Sequence, residues 1–139
     1  MNRYLPLIGR VLIGLPFVMS GFGKLVAYGK TTAMISAVGL PFPPLAYALA
    51  VALEFGGGLL LIAGYQVRPV ALAQAVFCVV AGLAFHSNFA DQNQMIHFLK
   101  NLVMAGGLLQ IAAFGAGAIS LDSRLSRDRG TIANAAPAR

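Results

Sequence analysis

Residues 85–101 gather more chemistry than any other stretch of this chain: His86, Ser87, Asn88, Asp91, Gln92, Asn93, Gln94, His97, Lys100 and Asn101, including both histidines. Apolar runs flank it, residues 70–84 before and 102–114 after. A polar knot between two such runs reads as a turn joining two membrane helices. His97, Lys100, Asn101 and Met104 fall at i, i+3, i+4 and i+7, so they share one helix face. Histidine titrates near neutral pH and shuttles protons, and lysine and asparagine donate to carbonyl or anionic groups. Three more residues complete the candidate set: Arg10, Lys24 and Glu54. Glu54 sits mid-way in an apolar run, where a lone carboxylate costs at least ~2.5–3.5 kcal/mol. It is therefore protonated or paired with Arg10, Lys24 or Lys100. The bland alternative is an ion pair that only fixes helix register.

Other chemistries find weaker support. His86, His97, Asp91 and Glu54 make a poor metal set, because the histidines are not at i, i+4 and no cysteine assists, so no metal is expected. Ser87 lies beside His86, but no acid is placed to orient that base for nucleophilic attack. Cys78 is the only cysteine, which excludes an internal disulfide or Cys-x-x-Cys centre, and it reads as a small buried apolar residue.

The elements that position these residues follow from composition. Of 139 residues 58% are hydrophobic and only 10% charged, with a mean hydropathy of +0.78. Soluble domains carry about 25% charge, so the chain is expected to be an all-α polytopic membrane protein. Four runs have the ~20-residue length that crosses the hydrocarbon core: about residues 5–25, 45–65, 69–86 and 95–114. The net charge of +6 is spread over ends and short loops without interleaved aromatics, so the partner is the lipid bilayer and not nucleic acid. The N-terminus reads as an uncleaved first span, since Arg10 interrupts its apolar run and no small-x-small site closes it.

In the first span Arg10, Gly14, Phe17, Gly21 and Lys24 repeat at four-then-three spacing, a stripe expected to face the bundle, its glycines admitting close backbone approach. Otherwise Arg10 and Lys24 snorkel to opposite surfaces. Residues 31–38 suit a short amphipathic helix with Thr31 as N-cap, ended by Gly39 and followed by Pro41, Pro43 and Pro44. In the second span Ala48, Ala52 and Gly56 form a small-xxx-small ridge. Asp91 and Gln94 have capping-box spacing at the head of the fourth span. From Ser120 the character changes, dividing the chain into a transmembrane domain, 1–122, and a polar, disordered tail, 123–139. Arg3, Arg68 and the tail arginines lie on one side, Lys24, Lys30 and Asp91 on the other. The positive-inside rule then places both termini in the cytoplasm, with the polar pocket opening outward.

The set Gly9-Arg10, Gly21-Phe22-Gly23-Lys24-Leu25, Glu54 with Gly57-Gly58-Leu59-Leu60-Leu61-Ile62-Ala63-Gly64, Arg68, Lys100-Asn101 with Gly106-Gly107-Leu108-Leu109, and Gly115-x-Gly117 with Ser120-Leu121-Asp122 resembles the DoxX family of small four-helix membrane proteins. The resemblance covers roughly Tyr4 to Asp122. It implies a bacterial inner-membrane protein. Some family members are associated with quinone-linked oxidation of sulfur compounds or with complexes that handle thiols and oxidants, and most have no established reaction. Arg10, Lys24, Glu54, Arg68, Lys100, Asn101 and Asp122 match the family pattern, whereas His86 and His97 belong to a subgroup.

Three functions fit. A quinone-linked redox accessory would use His97, Lys100, Asn101, His86, Lys24, Arg10 and Glu54 as its pocket. Its electrons would come from a bound quinone or a redox partner protein, since no flavin or nicotinamide fingerprint is present. A homo-oligomer could instead pass protons or a small solute, with Glu54 as relay. A scaffold would use buried charge to hold the bundle and the tail to recruit partners. Residue types and spacing leave open whether the chain is an enzyme.

Overall fold

The computed structural model describes residues 3–135, and all of its regular elements are helices. Helix α1 spans Leu5–Val26, with Pro6 in its first turn, where a missing N–H costs nothing. Helix α2, Tyr28–Ala37, follows after one residue. Helix α3 spans Pro43–Ala63, opens on the Pro43–Pro44 pair and is interrupted by a π-turn at Ala52–Gly56. Gly64, at φ 75°, ends it in the left-handed conformation that glycine adopts without a Cβ penalty. Helix α4 is Val67–Phe85, α5 is Gln92–Phe114 and α6 is Leu121–Ala135.

Helices α1, α3, α4 and α5 are each long and apolar enough to cross a membrane. The four expected spans are all present, with ends within a few residues of those read from hydropathy. Most of their large apolar side chains point outward, among them Leu12, Met19, Leu49, Val76 and Val103. That is the pattern of a bundle whose outer surface meets lipid and not water. The interior is narrow: Phe17, Leu61, Val67, Ala71, Ala75, Cys78, Ala105, Leu108 and Ala116 form its apolar core. Helix α1 packs along α3, and α5 along α4, while α1 and α5 touch only lightly.

The α1–α3 seam is built by backbone approach. Arg10, Gly14, Phe17 and Gly21 are the buried residues of α1, as the stripe predicts. A Cβ on Gly21 would collide with the backbone nitrogen of Phe55, and one on Gly58 would lie 3.0 Å from the Gly14 carbonyl oxygen. The ridge expected from Ala48, Ala52 and Gly56 does not serve this seam. Ala48 and Ala52 are exposed and Gly56 faces open space. The π-turn adds residues to one turn and so rotates the face that follows it, bringing Gly57 against Gln74 and Gly58 against Val18.

One other expectation is corrected. Helix α2 begins at Tyr28, three residues before Thr31, and Thr31 is not its cap; its hydroxyl donates to the Ala27 carbonyl, 2.9 Å away. Helix α6 takes in the polar stretch from Ser123 as far as Ala135, and residues 136–139 lie outside the described range. Ser120 starts that helix, its Oγ accepting from the Ser123 N–H at 3.1 Å, and Asp122 lies in the first turn, where negative charge suits the helix dipole.

Candidate functional site

Glu54 lies inside the π-turn, buried, on the side of α3 that faces α1. Of its three candidate cations the structure selects Lys24, whose Nζ sits 2.6 Å from Glu54 Oε2. It is the only ion pair among the described residues. Close approach at Gly21, one turn before Lys24, brings the ammonium over the π-turn. Lys24 also donates to Ser20 Oγ at 3.0 Å. An ammonium has three donors, and these two bonds leave one. The Lys24 side chain is 27% exposed against 9% for Glu54, so the lysine is the accessible member of the pair. Two aromatic rings stand at this end of α1. Tyr47 donates to the Lys24 carbonyl at 3.2 Å, and its ring meets Tyr28 edge-on at 4.8 Å.

Behind the pair lies a residue outside the pocket expected from sequence. Gln74 of α4 is fully buried and donates through Nε2 to the Leu53 carbonyl within the π-turn, at 2.9 Å. Its Oε1 is buried with no hydrogen-bond partner. The signal was present in the sequence, where a glutamine and Cys78 are the polar-capable residues inside an otherwise apolar span, one turn apart.

The other candidates separate into two groups. Arg10 is 1% exposed and lies at the opposite end of α1 from Lys24. Its guanidinium donates to the carbonyls of Leu61, Ile62 and Ile119, closing the end of α3 and the link between α5 and α6. Asp122 completes this clasp: its carboxylate accepts from the N–H groups of Gln66 and Val67 at 2.8 and 3.0 Å, and its own N–H donates to the Gly64 carbonyl at 2.9 Å. Arg10 thus ties helix ends together and does not meet Glu54.

The second group stands at the α4–α5 turn. The His86 and His97 rings stack at 5.0 Å with 26° between their planes, and His86 Nδ1 lies 2.9 Å from Gln94 Oε1. Asp91 caps α5, accepting from the N–H groups of Asn93 and Gln94 at 2.8 and 3.2 Å. Half of the capping box is therefore formed, with the Gln94 side chain turned to His86. Asn101 donates to the His97 carbonyl at 2.9 Å, and Lys100 is exposed between α1 and α5. Among the described residues no three His, Cys, Asp or Glu side chains converge as metal ligands.

The DoxX family model matches residues 5–87, a range that includes Arg10, Lys24, Glu54 and Arg68. The chain belongs to the DoxX family. It is 39% identical over 121 residues to the inner membrane protein YqjF of Escherichia coli, covering 87% of this chain and 92% of that protein. To the inner membrane protein YphA of the same organism it is 34% identical over 123 residues, covering 85% and 88%. No solved structure matches. Within the DoxX match, the family-pattern residues thus divide between the Arg10 clasp at one end of the bundle and the Lys24–Glu54 pair nearer the other.

Proposed function

We propose that this DoxX-family chain is a quinone-linked redox accessory of the bacterial inner membrane, both termini in the cytoplasm, with its head-group site at Lys24 and Glu54. The observation that carries the reading is a partly exposed ammonium with one donor unused, held over a buried carboxylate at a π-turn. π-Turns in α-helices are frequent at functional sites, and intramembrane ionisable groups mark sites by default. A quinone carbonyl needs a donor, which Lys24 supplies, and the Tyr28–Tyr47 ring pair stands at the same end of α1. Reduction of a quinone to a quinol takes two electrons and two protons. The electrons would enter from a redox partner, and the protons through the Glu54–Lys24 pair. The two inner-membrane relatives and the four apolar helices support the location, and the arginine-rich end formed by Arg3, Arg68, Arg124 and Arg127 supports the orientation.

Organic extraction of protein purified from its native membrane tests the reading. Quinone should be recovered with the wild type and fall at least tenfold with Lys24→Gln. Absence of quinone, with no binding at millimolar addition, overturns it. Proton flux into vesicles that is lost in Glu54→Gln would then favour translocation.

A further inference from the structure

Among the described residues Lys100 has no counterion. The chain has four acidic residues. Glu54 is taken by Lys24, Asp91 by the first amides of α5, and Asp122 by the first amides of α4. The fourth, Asp128, lies on α6 beyond the opposite end of α5. Lys100 is nevertheless inside a span, on the ninth residue of α5, ~12 Å along the helix from its start at 1.5 Å per residue. Helix side chains lean towards the N-terminus, so its stem reaches back to the polar end of the bundle.

The surroundings of Lys100 are shaped for a hydrocarbon chain. It lies in a groove of about 500 Å³ between α1 and α5 whose other walls are Pro16, Ile96, Leu99, Val103 and Met104. The groove exists because α1 and α5 barely touch, and Pro16 stands inside α1 at this place. One cation at the head of an apolar trough, with no acid to pair it, matches an amphiphile that has an anionic head and an acyl tail.

We propose that the α1–α5 groove is a binding site for one anionic phospholipid, its phosphate on Lys100 and an acyl chain along Ile96, Leu99, Val103 and Met104. A second copy of this chain does not meet the requirement, because its acids in the bundle are engaged in the same way and it brings no free carboxylate to Lys100. The site is separate from the Lys24–Glu54 pair and stands or falls without it.

The test uses the full-length protein reconstituted in nanodiscs of equal phosphatidylglycerol and phosphatidylcholine, released into mild detergent and weighed by native mass spectrometry. Wild type should retain phosphatidylglycerol over phosphatidylcholine by about fivefold, the preference that one lysine near an anionic lipid supplies. Lys100→Gln should lose that preference and Lys100→Arg should keep it. Lys30→Gln, a change at an exposed lysine of α2, should leave it unchanged. An equal preference in Lys100→Gln, or no preference in the wild type, overturns the proposal. So does a Val103→Cys variant that cross-links quantitatively to a second copy in native membranes, since the groove would then be an interface. A Lys100→Gln protein that does not fold is replaced by wild type with Val103→Trp, which should block the groove and lower retained lipid.

Discussion

Lys24 Nζ lies 2.6 Å from Glu54 Oε2, so the last turn of α1 is fastened to the π-turn in the centre of α3. Removing one partner leaves the other charge in an apolar surround. Breaking a fully buried pair costs about 3–5 kcal/mol. With Lys24 27% exposed, solvent screening lowers the expected loss to about 1–3 kcal/mol. Glu54→Gln and Lys24→Met should each lower thermal stability in detergent. The double variant should be more stable than their sum, because no orphaned charge remains. The swap of Lys24→Glu with Glu54→Lys should recover part of the loss, and swaps of Glu54 with Arg10 or Lys100 should recover none. Equal rescue by all swaps would contradict the pairing.

How much of this was legible in the sequence depends on which faces meet. The spans follow from hydropathy and length, and the buried stripe of Arg10, Gly14, Phe17 and Gly21 from its spacing. Periodicity assigns residues to a face but does not say which neighbour that face meets. Glu54 therefore had three possible cations in sequence and one in space. The π-turn is the sharper obstacle. It breaks the 3.6-residue register on which the Ala48–Ala52–Gly56 ridge depended; Gly56, Gly57 and Gly58 permit local unwinding after Glu54 but do not specify a π-turn. Arg10 and Lys24 looked alike as basic residues on one stripe. They differ because Arg10 meets the carbonyls at the end of α3, whereas Lys24 meets a carboxylate at its middle. His97, Lys100 and Asn101 lie close together along α5, yet Lys100 turns to the groove and the histidines to each other.

The clasp at the other end of the bundle makes a second prediction. Arg10 holds three carbonyls from two separate chain segments, and Asp122 holds two amides of the α3–α4 turn. Arg10→Leu takes this donor from the Ile62 and Ile119 carbonyls and leaves Leu61 only its bond from the Gly64 N–H, which should cost about 2–4 kcal/mol. Asp122→Ala removes the α4 cap and should cost about 1–2 kcal/mol. Gly64→Ala should resemble Arg10→Leu, because a Cβ there would overlap the Arg10 guanidinium and Gly64 holds a positive φ of 75°. All three should sensitise the α3–α4 turn to proteolysis while leaving lipid retention at Lys100 intact. Unchanged proteolysis in Arg10→Leu would show that the clasp is dispensable.

The α1–α3 seam predicts opposite effects for glycines of similar local sequence. Gly21→Ala would drive a methyl group into the Phe55 backbone, which cannot move aside as a flexible side chain can. The expected loss is about 1–3 kcal/mol, with weakened Lys24–Glu54 pairing as the helices part. Gly23→Ala, only two residues on, faces open space. It should be neutral or stabilising by about 0.5–1 kcal/mol, since alanine is the better helix former. Melting temperatures of the two variants decide the matter, and similar losses in both would mean that general helix flexibility and not this contact is at stake.

Gln74 gives the last test, and its sign rests on two opposed effects. Its Nε2 satisfies the Leu53 carbonyl within the π-turn, while its Oε1 is buried without a partner. Gln74→Leu removes both the bond and the unpartnered oxygen. If Leu53 cannot find another donor, the lost bond dominates and stability falls by about 1–3 kcal/mol. That result is expected, because the Lys24–Glu54 pair and the Gly58 packing both require the π-turn's geometry and keep it from relaxing to an α-helix. In a Lys24→Met, Glu54→Gln background the turn loses one of those restraints. Gln74→Leu should then cost less, and a double-mutant cycle should show positive coupling between Gln74 and the pair. Additive losses would mean that the glutamine and the ion pair act independently, and that the π-turn is held by packing alone.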